Sequence, residues 1–316
     1  MKEVLEKIEK AKHIALLTHL NPDADTIGSA LGLYHILKKM RKRVTVINTS
    51  VLPYNLKFLP DFSKIKANMP QQADLWISLD CGSFDRLGVD KKEAFLINID
   101  HHKSNTMYGD LNIVEPTCAS TSQVVYKVVK ELELPVPKES AICFYTALVD
   151  DTGFFKYDRV NAEVFAFAKE LCELGAKPDM IATELTMREP LAKLRLIQMM
   201  LETLELRLQA KVAIVRLTQE MLQSSGATKE MGESALDMAR SLATVEVAVM
   251  LREEEDGRIK VSMRSKTEVD VGKIAVTFGG GGHKRAAGFT SDLHDFDRVK
   301  ELVLQSLAKE LYIEKK

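Results

Sequence analysis

The chain has 316 residues, 44 Lys and Arg against 45 Asp and Glu, a formal net charge of −1, and 46% hydrophobic residues. That length suits two domains, each able to bury its own core. The near-zero charge excludes a broad basic surface for long duplex nucleic acid, while a small phosphorylated ligand in a local pocket stays compatible with it.

Met1-Lys2-Glu3-Val4-Leu5-Glu6-Lys7 reads as a charged amphipathic helix rather than a signal peptide. No apolar stretch approaches the roughly 20 residues that span a bilayer. A cytoplasmic protein with no membrane association is expected. Cys81, Cys118, Cys143 and Cys172 form no C-x-x-C pair, so neither a zinc ribbon nor a disulfide framework is indicated.

Short apolar runs at 14–17, 44–48, 75–79 and 95–99 read as strands. Between the first two, residues 26–40 carry Ile27, Ala30, Leu31, Leu33, Tyr34 and Leu37 at a helical period. Residues 120–132 and 140–149 read as further helices. Strand–helix alternation predicts an α/β domain, a mainly parallel sheet with helices on both faces, over 1–185.

Several apolar runs end in metal-ligand chemistry. The first leads into His19-x3-Asp23-x-Asp25, where Asn21-Pro22 forces a turn. The third ends at Asp80 and the fourth at Asp100-His101-His102, while the helical run 141–149 ends at Asp150-Asp151. Taken singly, each has a bland explanation: Asp23 or Asp25 can cap the following helix, Asp80 can make an Asx turn, and Asp100-His101-His102 can be a surface loop. Either acid of the Asp150-Asp151 pair can cap a turn or serve as a ligand.

Beyond residue 185, residues 186–208 read as a connecting helix, in which Met199 and Met200 pack. A smaller α/β domain over 209–316 follows. Its expected strands are 211–217, 245–251 and 259–264, with helices at 231–242 and 296–311. Gly279-Gly280-Gly281-Gly282-His283-Lys284-Arg285 can approach a ligand closely and form an anion nest, or be a hairpin connection. Arg264-Ser265-Lys266 adds a cation that forks onto a phosphate or stacks on a base.

Magnitudes favour a metal site. Two carboxylates about 4 Å apart repel by roughly 4 kcal/mol at an effective dielectric near 20. Four in one crevice would exceed a domain's margin of about 5–15 kcal/mol unless protonated, spread apart or bound to cations. His19, Asp23, Asp25, Asp80, His101 and Asp151 suffice for two divalent ions if one carboxylate bridges. Imidazole and carboxylate without thiolate favour Mn²⁺, with Mg²⁺, Co²⁺ or Fe²⁺ admissible, over structural zinc. Such a pair of metals hydrolyses phosphate esters.

These motifs, in this order, resemble the DHH phosphoesterase family, and the C-terminal Gly-Gly-Gly-His segment resembles its associated substrate-binding domain. The chain is most similar to the nanoRNase and dinucleotide phosphodiesterase branch. The resemblance implies that His19 and Asp23 bind one metal, that Asp25, His101 and Asp151 bind the other, and that Asp80 bridges. It implies that His102 meets the scissile phosphate with Asp100 behind the histidines, and that Arg264, Ser265, Gly280, Gly281, Gly282 and His283 hold the substrate's far end. Asp150 departs from the pattern, in which a small residue precedes the ligand. The implied activity is a two-metal phosphodiesterase for short linear oligonucleotides. Its preferred substrates would be 5′-phosphorylated dinucleotides such as pApA, cut to 5′-mononucleotides, which ties it to cyclic di-AMP turnover. Alternatives are a 3′-phosphoadenosine 5′-phosphate phosphatase, direct cleavage of cyclic di-AMP, or a nucleotide-sensing module with structural metals. Exposed apolar helices in the first domain suit a homodimer.

Overall fold

The computed structural model describes residues 1–90 and 94–311. The chain divides into two compact units, Met1–Arg188 and Glu189–Lys316. The last five residues of the expected second domain lie outside the described residues.

The first unit is built on five parallel strands: β1 (His13–Leu17), β2 (Arg43–Ile47), β3 (Leu75–Leu79), β4 (Phe95–Asp100) and β5 (Leu111–Val114), ordered β2-β1-β3-β4-β5. The order reverses between β1 and β3, the switch point where open α/β sheets bind ligands beyond the carboxyl ends of their strands. Side chains alternate between the two faces of the sheet, and β1 and β3 are buried on both. Ile14, Leu16, Ile77, Leu79, Ile97 and Ile99 pack under α2 (Ala24–Lys39), α3 (Thr121–Glu131) and α4 (Lys138–Asp151). Ala15, Leu17, Trp76 and Leu96 point the other way.

The α/β class is as expected, but the two faces differ. The cluster on the second face is closed by the short turn Phe84–Leu87 and by loop residues such as Met69, Ala73 and Tyr108, not by α-helices. Among the described residues the connections from β3 to β4 and from β4 to β5 carry no α-helix. β5 itself was not apparent from its four residues.

α2 and α4 lie unusually close because α2 presents glycines to α4. A Cβ on Gly28 would stand 2.5 Å from the Cys143 carbonyl oxygen, and one on Gly32 would enter the Phe144 ring. Ser140 Oγ also donates to the Gly32 carbonyl at 2.7 Å. The contacts run antiparallel, so the start of α2 and the end of α4 meet at the carboxyl edge of the sheet.

The second unit has a six-stranded mixed sheet. In chain order its strands are β6 (Glu205–Arg207), β7 (Val212–Leu217), β8 (Val247–Glu253), β9 (Ile259–Ser265), β10 (Gly281–His283) and β11 (Ala286–Ser291). The spatial order is β10-β11-β9-β8-β7-β6, and only β7 and β8 pair in parallel. Of the segment read as one helix over 186–208, Thr186 ends a preceding helix, Pro178–Thr186, and a second helix spans Leu191–Glu202. Leu196, Ile197 and Met200 there are buried against Ala213, Val215 and Met250 of this sheet. Residues 205–207 pair with β7 as an edge strand, and Leu208, Gln209 and Ala210 make the hairpin turn with φ of 50°, 56° and 61°. No described helix is long and apolar enough to cross a membrane.

Candidate metal centre

The loop after β1, the end of β3, the end of β4 and the end of α4 deliver their polar side chains to one place. His19 Nε2 lies 3.6 Å from Asp23 Oδ2 and 3.5 Å from Asp80 Oδ2. His101 Nε2 lies 3.6 Å from Asp80 Oδ1, 3.4 Å from Asp151 Oδ2 and 3.9 Å from Asp25 Oδ2. Two groups centre on these histidines, His19 with Asp23 and Asp80, and Asp25 with His101 and Asp151, each compact enough to hold an ion, and Asp80, His101 and His102 form a third, overlapping one. Asp80 turns one oxygen toward each histidine. It is buried and has a left-handed φ of 55°, a backbone state that few side chains tolerate and that concentrates at functional sites.

Asp23 does two things. Its Oδ1 caps α2 by accepting from Thr26 N at 3.0 Å, and its Oδ2 faces His19. Of the two acids ending α4, Asp151 joins the His101 group, whereas Asp150 is exposed and belongs to neither group.

Behind these side chains stands a layer of supports. Asp25 accepts from Thr121 N at 2.6 Å, Ser122 N at 3.1 Å and Ser29 Oγ at 3.1 Å, so the N-terminus of α3 points at this carboxylate. Ser120 Oγ caps that helix by accepting from Gln123 N, and Gln123 Oε1 in turn accepts from Ala119 N at 2.9 Å. Thr121 Oγ1 donates to Asp80 Oδ1 at 2.9 Å. Asp100 Oδ1 accepts from His101 N and pairs with His102 Nδ1, both at 2.8 Å, while Asn105 Nδ2 donates to Asp100 Oδ2 and to the Cys81 carbonyl. With Nδ1 committed to Asp100, His102 is left to present Nε2. Sequence reasoning missed Thr121, Ser122 and Asn105: the first two read only as the start of a helix over 120–132, and nothing local marks Asn105.

Without cations the centre holds protons. Burial, then the charges of Asp80 and Asp151, hold Asp25 well above the usual carboxylate range. Burial, then Asp80 and Asp23, push Asp151 up to about 8. Burial opposes charge on His19, but hydrogen bonds to Asp23 and Asp80 outweigh it and raise it to about 10. Burial keeps His101 neutral by lowering it. Four carboxylates and two imidazoles without a thiolate suit hard or borderline divalent cations, and those cations would take the place of the held protons.

In the second unit, Arg264 forms an ion pair with Glu233 at 3.1 Å. Ser265 is buried and its Oγ has no hydrogen-bond partner among the described residues. The glycine run is an arm of a hairpin, with Gly281 opposite Gly288, Gly282 opposite Ala287, His283 opposite Ala286, and Lys284-Arg285 at the turn. Packing explains two of its glycines: a Cβ on Gly280 would enter the β11 backbone, and one on Gly282 would stand 2.5 Å from the Ala286 oxygen. Gly281 differs, since a Cβ there would meet nothing within 4 Å.

A parallel sheet with paired imidazole–carboxylate groups at its switch point, one carboxylate facing both, suits a pair of divalent cations of the kind that phosphoesterases use. Residues 13–148 match the DHH family N-terminal domain, and residues 209–309 match the DHHA1 domain. The chain belongs to the DHH family of phosphoesterases. It is 34% identical over 312 residues to the bifunctional oligoribonuclease and PAP phosphatase NrnA of Thermus thermophilus, covering 98% of this chain and 93% of that protein. It is 25% identical to the protein of the same description from Bacillus subtilis, covering 98% of each. Among solved structures it resembles an exopolyphosphatase-related protein from Bacteroides fragilis, with TM-score 0.92, 27% identity and 99% and 97% of the two chains covered. It also shares its fold with the Mn²⁺ complex of RecJ from Thermus thermophilus, with TM-score 0.58 and 15% identity over 98% of this chain and 54% of that one.

Proposed function

We propose that this chain is a two-metal phosphodiesterase that cuts short linear oligonucleotides, with 5′-phosphorylated dinucleotides such as pApA as preferred substrates, to 5′-mononucleotides. The observation that carries this reading is Asp80, whose two oxygens face His19 and His101 separately. In this account His19 and Asp23 hold one ion, Asp25, His101 and Asp151 the other, and Asp80 both, with Mn²⁺ the favoured metal. Two divalent cations held there would supply hydroxide near neutral pH and neutralise the phosphoryl oxygens.

The chain's own groups do the rest. Asp100 fixes the His102 ring through Nδ1, so that Nε2 can donate to a phosphoryl or leaving oxygen. The α3 N-terminus and Thr121 hold Asp25 and Asp80 in place. For the second unit, we assign Arg264, Ser265, Gly280, Gly281, Gly282 and His283 to the substrate's far end. The unpartnered Ser265 hydroxyl and the open face of Gly281 support this. Four free cysteines suit a reducing cytoplasm. Exposed Phe165, Met180 and Met187 in the first unit support a homodimer, which sedimentation can test.

A second reading shares the same centre. Relatives described as both oligoribonuclease and PAP phosphatase favour 3′-phosphoadenosine 5′-phosphate as a further substrate. A panel of pApA, 3′-phosphoadenosine 5′-phosphate, cyclic di-AMP and longer oligomers, assayed with Mn²⁺, separates the readings. We expect fastest turnover of pApA to AMP. Turnover confined to the monoester would replace the first reading with the second, and turnover of nothing would favour a binding module.

A further inference from the structure

A row of polar side chains crosses the first sheet on the face that no α-helix covers. Ser78 on β3, Asn98 on β4 and Asn112 on β5 are register neighbours, and Asn98 is fully buried. Strand interiors favour β-branched and aromatic residues, and a buried amide costs stability unless its donors and acceptor are all paired. Here they are. Asn98 Nδ2 donates to Asn112 Oδ1 at 3.1 Å and to Asn105 Oδ1 at 3.0 Å, while its Oδ1 accepts from Ser78 Oγ at 3.3 Å.

The row draws the loop between β4 and β5 down onto the sheet. Tyr108 OH donates to Ser78 Oγ at 2.9 Å, and Asn112 exchanges hydrogen bonds with Gly109, accepting from its N at 3.0 Å and donating to its carbonyl at 2.8 Å. Within that loop Asn105 is saturated. Its Oδ1 accepts from Asn98 and from Met107 N at 2.7 Å, and its Nδ2 donates to Asp100 Oδ2 and, at 3.1 Å, to the Cys81 carbonyl. A planar amide engaged on both ends has one orientation open to it. Asn105 thus carries the order of the row to Asp100, whose other oxygen lies 2.8 Å from His102 Nδ1.

We propose that Asn105 is a positioning residue for His102, itself set by Asn98, so that the polar row across β3, β4 and β5 serves turnover and not folding alone. The proposal rests on the phosphoesterase reading and deepens it: the ring that meets the phosphate is aimed through Asn98, Asn105 and Asp100 in series.

The test uses the whole chain with Asn105→Ala and Asn98→Ala, singly and together, in kinetics on pApA and in Mn²⁺ calorimetry. Asn105→Ala should lower kcat by about 10- to 100-fold, with KM and Mn²⁺ affinity changed by no more than about twofold. Asn98→Ala should also lower kcat, and the double variant should be no slower than Asn105→Ala, since the two act in series. Asn105 is only half-buried, so its variant judges the proposal even where Asn98→Ala does not fold. A readout free of turnover is the His102 ring signal in the NMR spectrum of chelator-treated protein isotope-labelled at its histidine ring carbons, assigned by its loss in His102→Ala. Asn105→Ala should shift or broaden that signal. An unchanged ring signal, an unchanged kcat, or a loss explained by weaker Mn²⁺ binding would overturn the proposal. If wild type fails to cut pApA, the substrate reading falls, while the ring signal still judges Asn105.

Discussion

Asp100 is the most buried member of the Asp-His-His triplet and is itself a member of none of the ligand groups. Its value lies in orientation: one oxygen holds His102 and the His101 backbone, and the other is held by Asn105. Asp100→Asn keeps the shape but cannot fix the His102 tautomer in the same way. Hydrolysis should fall by about 10- to 100-fold with Mn²⁺ affinity nearly unchanged, as kinetics and calorimetry on one preparation would show. Equal losses in both would make Asp100 a direct support of the metals. The ligand-type residues were legible in the sequence because strand ends and a helix end concentrate them. Thr121 was not, since its contact with Asp25 spans 96 positions and exists only after α3 docks. The residues alone left Asp150 and Asp151 open and the family resemblance pointed to Asp151; the end of α4 sets Asp151 Oδ2 3.4 Å from His101 Nε2, which supports that assignment.

At the scale of elements, the centre depends on how closely two helices approach. α2 begins with Asp23 and Asp25 at its start, and α4 ends with Asp151, so the Gly28 and Gly32 contacts set the separation of carboxylates from different helices. Gly32→Ala would push a methyl into Phe144 and should cost about 1–3 kcal/mol, read as a lower unfolding midpoint. It should also weaken Mn²⁺ binding, whereas the open position Gly281→Ala should leave stability within about 0.5 kcal/mol. An unchanged midpoint for Gly32→Ala would mean that the helices have room to separate. Periodicity made β1, β3, β4 and α2 readable. It failed for β5 and for the hairpin at residues 281–288, whose short, glycine-rich strands are specified by pairing with neighbours rather than by their own pattern. It also ran the helix Leu191–Glu202 on through residues 205–207, because charged and apolar residues alternate there in a way that fits either state.

For the whole molecule, the held protons make stability and metal binding respond oppositely to pH. Asp151, raised to about 8, and His19, raised to about 10 from an ordinary value near 6.5, both keep protons in the folded state that the unfolded chain releases. Between about pH 6.5 and 8 the native state therefore binds more protons than the unfolded state, so metal-free stability should fall as pH rises. Mn²⁺ displaces those protons, so its stabilisation should grow over the same window. Thermal unfolding with Mn²⁺ or with chelator at pH 6.5, 7.2 and 8 would show the two curves diverging; parallel curves would mean that cation binding does not involve these groups. The α/β class and the family resemblance were both readable from the chain before its structure, because they rest on local patterns and motif order. The gathering of the six side chains into two groups around one aspartate required the tertiary structure.

The claim on which the rest depends is that one centre holds two cations through a shared Asp80. The most direct measurement is the number of Mn²⁺ ions bound per chain at pH 8, by equilibrium dialysis and elemental analysis. Two ions should bind to the wild-type chain, and Asp80→Ala should lose tight binding of at least one. A single ion, or two ions held equally well without the Asp80 carboxylate, would contradict the account.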